Sequence, residues 1–470
     1  MMKPKDSTSV SRDELLALVV RLQRQVEELT AVNEALRQEN ADLKRGGKRQ
    51  ASPFSKGTRV EYRKGPGRKP GEGPFAYRKA PRLEELTAPV VDVPVTEGVC
   101  TSCGGELALE RVEFASVTDL SPLPRPVVTA YRVQVCRCLS CGRRVRGRHP
   151  GVAPDQYGAT AHRLGGQAMA AAHVLHYGVG IPVRKVPLVL KLLTGVDVTQ
   201  SALTQDALRR AHGPVGTAYA ALRTGVSASP FVHSDDTGWR VGGDSAQLMA
   251  FETDAATVYQ VRPRHRNEEV REVVPADYAG VLVTDRGRSY DAEELAGVRQ
   301  QKCLAHVLRS LSEVSETKRG PARVFSTRLK GVLRESLDLW RADPRTDRER
   351  FAAETERLKA TLTRQLRDRC LTDPDNQRLL NELGRHHDRG NLLRFLEEPG
   401  VEPTNNRAER ALRPAVIARK VSHCSKTWRG AEAFSAFTSV LRTLARQSDS
   451  SPVEGLCRLF QPAPVQCSPP

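Results

Sequence analysis

The sequence predicts a multidomain α+β protein, and three observations carry that prediction. Leucine recurs every seven residues near the N-terminus, two Cys-x-x-Cys-Gly knuckles lie between 100 and 142, and strand-like segments after 229 carry carboxylates where strands usually carry apolar residues. A chain of 470 residues has room for two to four domains. Its 39% hydrophobic and 27% charged residues are those of a soluble globular protein, and no apolar run reaches the length of a membrane span. The segment Leu15 to Val20 lies inside the heptad pattern and lacks a cleavage site, so no signal peptide is read and a cytoplasmic location is expected. A net charge of +18 points to a polyanionic partner, most simply nucleic acid, with no membrane role.

The first element, 11–45, is a leucine-zipper coiled coil. Ser11 and Glu14 fit a capping box, and Leu15, Leu22, Leu29, Leu36 and Leu43 form the d row. The a row is Val19, Val26, Asn33 and Asn40. β-Branched residues at a with Leu at d favour two parallel strands, and amides at a penalise other registers, so a homodimer is expected. Residues 46–90 form a basic linker. Thirteen Lys or Arg face two Glu between 44 and 82, a composition that cannot build a core, and Arg68 and Lys69 are candidate phosphate contacts.

Residues 91–150 contain Cys100, Cys103, Cys138 and Cys141, whose spacing suits one structural Zn²⁺ in a closed tetrahedral sulfur site. Cys136 is a spare thiol, and it or His149 is an alternative ligand. Arg143 and Arg144 follow the second knuckle as candidate DNA contacts. Residues 155–225 read as helical. Val186, Val189, Leu190 and Leu193 share a face, Gly195 ends that helix and Thr199 caps the next, which fits either a helix-turn-helix or a platform leading into the core.

The last domain spans 229–446. Phe231 to Val241, Gln247 to Glu252 and Thr257 to Val261 read as a three-strand meander, a short helix follows near Glu268 to Val274, and Gly280 to Thr284 reads as a buried strand. Three strands, a helix and a fourth strand open a ribonuclease-H-like sheet in which the first and fourth strands lie side by side. That topology brings Asp235 and Asp285 together. The helix opening near Asn405 carries Glu409, after a helical insertion at about 300–400. Two strand carboxylates and one helix carboxylate suit two Mg²⁺ (or Mn²⁺) ions around a phosphodiester. Arg410, Arg413, Arg419 and Lys420 lie on or just after that helix as candidate phosphate contacts. Cys303 and His306 read as packing, with a metal-ligand role as the alternative, and His386-His387-Asp388 as a surface helix end. From Gln447 the chain becomes Ser- and Pro-rich, so 447–470 is expected to be a disordered tail.

Four blocks together resemble the bacterial transposases of the insertion-sequence-66 family: His233 to Val241, Val283 to Arg286, Cys303 to His306, and Pro403 to Pro414. The resemblance implies a DDE-type transposase that cuts and joins DNA at the ends of its element and at a target. Its triad falls on Asp235, Asp285 and Glu409, and accessory proteins of the same element are conceivable partners. Members commonly have Asp-Glu-Thr where this chain has Asp235-Asp236-Thr237, which leaves Asp236 open as a ligand. The alternative function is a catalytically inactive, DNA-binding regulator derived from a transposase. A nucleoid-associated location in a bacterium follows from the first reading.

Overall fold

The computed structural model describes residues 12–48, short runs between 82 and 112, and 124–461 apart from 154, 343–346, 368 and 448–450. Arg68 and Lys69, and most of the basic linker, lie outside the described residues. The chain divides into two units, Met1–Thr118 and Asp119–Pro470.

In the first unit, helix α1 spans Arg12–Lys48 without a break. Leu22, Val26 and Leu29 are 49%, 61% and 68% exposed, so the heptad stripe finds no partner within the unit among the described residues. The side chains of Leu15, Leu36, Asn40 and Leu43 lie outside the described residues, and Asn33 is exposed. The unit also holds the first knuckle, closed by hydrogen bonds from the Cys100 amide to the Gly105 carbonyl (2.8 Å) and from the Gly104 amide to the Cys100 carbonyl (2.8 Å). Gly104 sits at φ +72°, a left-handed turn position.

The second unit opens with the matching knuckle. Strands β1 (Val135–Arg137) and β2 (Arg144–Arg146) pair antiparallel around it. Here Cys138 donates to Arg143 (2.8 Å), Gly142 donates to Cys138 (2.9 Å), and Gly142 is at φ +68°. Identical bonding follows from an identical Cys-x-x-Cys-Gly pattern.

Four helices come next: α2 (Gly166–His173), α3 (Val186–Thr194), α4 (Gln200–Ala211) and α5 (Pro214–Val226). As the sequence predicts, Gly195 ends α3 with φ 76° and Thr199 caps α4, its hydroxyl accepting from the Ala202 amide at 3.2 Å. Replacing Thr199 by Ala orphans that amide and is expected to cost about 1 kcal/mol in denaturant titration. One expectation fails here. Val186 and Leu190 are buried, but Leu193 is 49% exposed, because α3 turns only one narrow face inward.

The central sheet has strand order β5-β4-β3-β6-β7. Strands β3 (Phe231–Val241), β4 (Asp244–Glu252) and β5 (Thr257–Arg262) form the expected antiparallel meander. Gly242 and Gly243, at φ 63° and 101°, make the two-residue hairpin turn that β3 and β4 require. After the short helix α6 (Asn267–Arg271), strand β6 (Val281–Thr284) pairs parallel with β3. All four β6 residues are buried, as a strand covered on both faces demands.

A fifth strand, β7 (Arg299–Lys302), was not expected. Its sequence, Arg-Gln-Gln-Lys, has no apolar residue, yet three of the four side chains are buried. Each has a polar partner: Gln300 donates to the Tyr290 carbonyl (2.7 Å), Gln301 to that of Leu392 (3.2 Å), and Lys302 pairs with Asp291 (2.7 Å).

Helices α7 (Leu304–Thr317), α8 (Pro321–Arg341), α9 (Arg348–Leu366), α10 (Pro374–Asp388) and α11 (Arg394–Glu397) are the expected insertion. They enclose their own core around Leu311, Leu329, Leu333, Leu362 and Leu383, which also covers Val281 and Val283. His386 is 5% exposed rather than at the surface, because α10 turns it toward Asp291 (3.7 Å).

Helix α12 (Asn406–Ser422) packs on β3 and β4, and α13 (Trp428–Leu444) runs along edge strand β5. Ser435, Ser439 and Thr443, four residues apart, accept from the amides of Val261 (3.2 Å), Tyr259 (2.8 Å) and Thr257 (3.2 Å). A helix thus caps the free amides of the sheet edge, which otherwise invite pairing with another chain.

The tail also departs from expectation. Residues 452–460 form helix α14 (Pro452–Phe460), capped by Ser451, with Leu456 fully buried against the α2, α5 and α13 core. Its apolar stripe of Val453, Leu456, Cys457 and Phe460 outweighs the surrounding Ser and Pro residues. Residues 462–470 lie outside the described residues. Among the described residues no helix is long and apolar enough to cross a membrane.

Candidate active site

Strand pleating decides where each carboxylate points. Along β3, Trp239 and Val241 face the α12 core, whereas Val232 packs on the opposite face and Ser234 meets Tyr290 there (3.0 Å). Asp235 shares the odd-numbered face. Its cross-strand partner Ala250 lies in the α12 core, and the partner of Asp236, Met249, lies in the other. On β6, Val281 and Val283 pair with Phe231 and His233, so the same alternation directs Asp285 toward the Asp235 face.

Three hydrogen bonds then tie the acidic positions together. The Cys303 amide donates to the Thr284 carbonyl (2.8 Å), the Asn405 amide donates to Cys303 Sγ (3.2 Å), and Asn405 Nδ2 donates to the Ser234 carbonyl (2.8 Å). Asp235 and Asp285 each follow one of those carbonyls. Glu409 sits one helical turn after Asn405, its amide donating to the Asn405 carbonyl (3.2 Å). The Pro403-Thr404-Asn405 loop is thereby stitched to the ends of both carboxylate strands.

Locally, Asp285 Oδ1 accepts from the Gly287 amide (2.8 Å), a side-chain turn that fixes the carboxylate. A Cβ at 287 would lie 2.9 Å from that oxygen, so a side chain there would push the carboxylate from its place. Between them Arg286 bonds to Glu382 (2.7 Å) and Ser310 (2.5 Å), anchoring the loop to the insertion helices.

The electrostatics show how crowded the site is. Burial first, and then the charges of Asp285, Asp236 and Glu409, push the Asp235 carboxyl up to about 7. Asp236 pairs instead with His265 (2.9 Å), on the Tyr290 side of the sheet. Asp235 thus lies on the sheet face that α12 covers, and Asp236 on the opposite face beside His265.

Cys303 and His306, whose sequence pattern fits packing better than a metal ligand, lie beside Asn405 and Glu409. Cys303 is fully buried at the start of α7, and His306 Nε2 is 3.9 Å from Glu409 Oε1. Burial pushes the Cys303 thiol up, but the neighbouring His306 ring and the hydrogen bond from the Asn405 amide outweigh it and lower it. Asn405, with no exposed surface, was not foreseen as the pin of the site.

Among the basic candidates, Arg143, Arg144, Arg410, Arg413 and Lys420 are exposed. Arg419 is held back, donating to Thr237 Oγ1 (3.2 Å) and to the Gly238 carbonyl, so it braces β3 rather than projecting free. At the knuckles, amides of Ser102 and Cys103 lower the Cys100 thiol, and those of Cys141 and Ser140 lower Cys138. Both thiols are thereby shifted toward the thiolate form.

A three-stranded meander joined to two parallel strands, with acidic residues gathered where β3 and β6 meet a capping helix, defines an α/β protein with a partly buried carboxylate site. A family model, that of the IS66 family of transposases, matches residues 162–433 and so takes in the whole of this sheet and site. The chain belongs to the IS66 transposase family. No curated protein matches it.

Proposed function

We propose that this transposase cleaves DNA at the ends of its insertion sequence and joins the freed ends to target DNA, using Asp235, Asp285 and Glu409 on a ribonuclease-H-like core. The observation that carries the reading is the placement of Asp235 on β3 and Asp285 after β6, stitched to the start of the Glu409 helix through Cys303 and Asn405. Burial first, and then neighbouring acidic charge, raise the Asp235 carboxyl, an arrangement that divalent cations relieve. Two Mg²⁺ or Mn²⁺ ions bound there would supply Lewis-acid activation of the attacking oxygen and stabilisation of the leaving one. Asp235 and Asp285, fixed by the sheet and by the Gly287 turn, hold the shared face of the site, and Glu409 closes it from α12. Attack by water on the end phosphodiester breaks the P–O3′ bond and leaves a 3′-hydroxyl. That hydroxyl then attacks a target phosphodiester in line, so no covalent protein intermediate is required.

The exposed Arg410, Arg413 and Lys420 grip the flanking phosphates, with Arg143, Arg144, Arg68 and Lys69 adding contacts from the knuckle and linker. Cys100, Cys103, Cys138 and Cys141 hold one structural zinc, and the exposed stripe of α1 pairs with a second copy. Both are expected to be visible directly. Purified protein should carry one tightly held zinc that Cys138→Ser releases, and deletion of 1–48 should halve its mass in light scattering.

The test of function is cleavage and joining of labelled element-end DNA with Mg²⁺. Cutting that depends on all three carboxylates supports the reading. Tight binding without cutting, even with the element's other proteins added, would instead make this chain a DNA-binding regulator.

A further inference from the structure

We infer that Cys303, His306 and Glu409 form a second metal site, selective for a thiolate-loving ion such as Zn²⁺, which competes with the magnesium pair for Glu409. The inference rests on the catalytic reading of Glu409 given above. Sulfur, imidazole nitrogen and carboxylate oxygen all lie within 4.8 Å of one another, the one such group of three among the described residues. Tetrahedral zinc with these donors needs ligand atoms about 3.3–3.8 Å apart, so contraction by about 1 Å suffices.

The surroundings suit a metal rather than plain packing. Cys303 Sγ is fully buried and already accepts the Asn405 amide, whereas the His306 and Glu409 side chains are 30% and 36% exposed. The site is closed behind the sulfur and open on the carboxylate side, which leaves a fourth position for water. His306 Nδ1 is buried, and it and the Oδ1 of buried Asn405 have no hydrogen-bond partner among the described residues. Buried polar atoms usually find partners, and an ion between the thiol, the imidazole and the carboxylate would give this corner one. Mg²⁺ prefers an all-oxygen octahedron, and sulfur and nitrogen select zinc or cobalt instead. An ion seated here draws Glu409 toward α7 and away from Asp235.

The experiment uses full-length protein with zinc already in the four-cysteine module and titrates Co²⁺, reading the near-ultraviolet thiolate-to-cobalt absorption. Wild type should show one more cobalt–thiolate equivalent than Cys303→Ser, with a matched circular-dichroism spectrum as the folding control. Losing one ligand in His306→Gln or Glu409→Gln should weaken cobalt at that site at least about tenfold. Zinc added to magnesium-dependent cleavage should inhibit wild type, and the half-inhibitory zinc level should rise at least about tenfold in Cys303→Ser, each normalised to its own zinc-free rate. Equal cobalt spectra in wild type and Cys303→Ser would overturn the site, and equal zinc inhibition would overturn the competition. A cobalt signature without any magnesium-dependent cutting would leave the site standing and remove the catalytic reading, so the two failures are distinguishable.

Discussion

Asp235→Asn and Asp285→Asn are each expected to abolish cleavage of element-end DNA, whereas Asp236→Asn should keep it within about tenfold of wild type. The argument is one of sheet geometry. A carboxylate that holds a catalytic divalent ion contributes several kcal/mol to the transition state, and about 4 kcal/mol corresponds to roughly a thousandfold in rate. Asp235 and Asp285 occupy the face that α12 and Glu409 cover, and the pleat turns Asp236 to the other face, where it meets His265 at 2.9 Å. Removing the Asp236 charge loosens that contact and eases the crowding on Asp235 without touching the shared site. Single-turnover cleavage at saturating DNA, with binding measured separately, checks all three. Equal losses in Asp235→Asn and Asp236→Asn would show that the site extends through both faces of β3 and would sink the assignment.

The legible parts of this chain are those where one residue type has one physical reason to be there. Carboxylates at 235 and 285 interrupt strand patterns, and the meander with a parallel fourth strand follows from alternation and turn spacing. The knuckles follow from Cys-x-x-Cys-Gly, the α3 stop from Gly195 and the α4 start from Thr199. What escaped is polar structure satisfied at long range. Strand β7 has no hydrophobic pattern, because its buried glutamines and lysine bond to carbonyls and an acid brought in by other elements. The hydroxyl ladder of Ser435, Ser439 and Thr443 shows a period of four, yet nothing in the sequence says that a strand edge will sit across it. Asn405 and Cys303 lie in blocks that carry the family resemblance, but their role as the pin of the site emerges only once β3, β6 and α12 converge.

Asp206→Asn should be the most destabilising single change outside the active site, by about 3–5 kcal/mol at neutral pH, the usual cost of stripping one partner from a buried charge network. Asp206 is 7% exposed on α4 and accepts from His173 Nε2 (2.9 Å), Arg210 Nε (2.7 Å) and Arg209. Arg210 in turn lies over the Phe460 ring of α14, 3.5 Å from its centroid, and the His173 ring lies tilted against Phe437 of α13, centroids 4.8 Å apart. Through Arg210 one carboxylate therefore links α2 and α4 to the helix at the C-terminal end, adding to the apolar stripe that holds residues 452–460. Burial alone would raise the Asp206 carboxyl, but hydrogen bonds from His173 and Arg210, the Arg210 charge and the Arg209 contact hold it well below the usual carboxylate range. Its folded pKa is thus depressed relative to an unfolded value near 3.9, so its contribution is fully present above about pH 4 and fades as pH falls further. Denaturant melts of wild type and Asp206→Asn should differ most at pH 7 and converge progressively below pH 4. Equal stability at pH 7 would mean that the two arginines find water as readily as they find Asp206, and that the C-terminal helix is held by its apolar stripe alone.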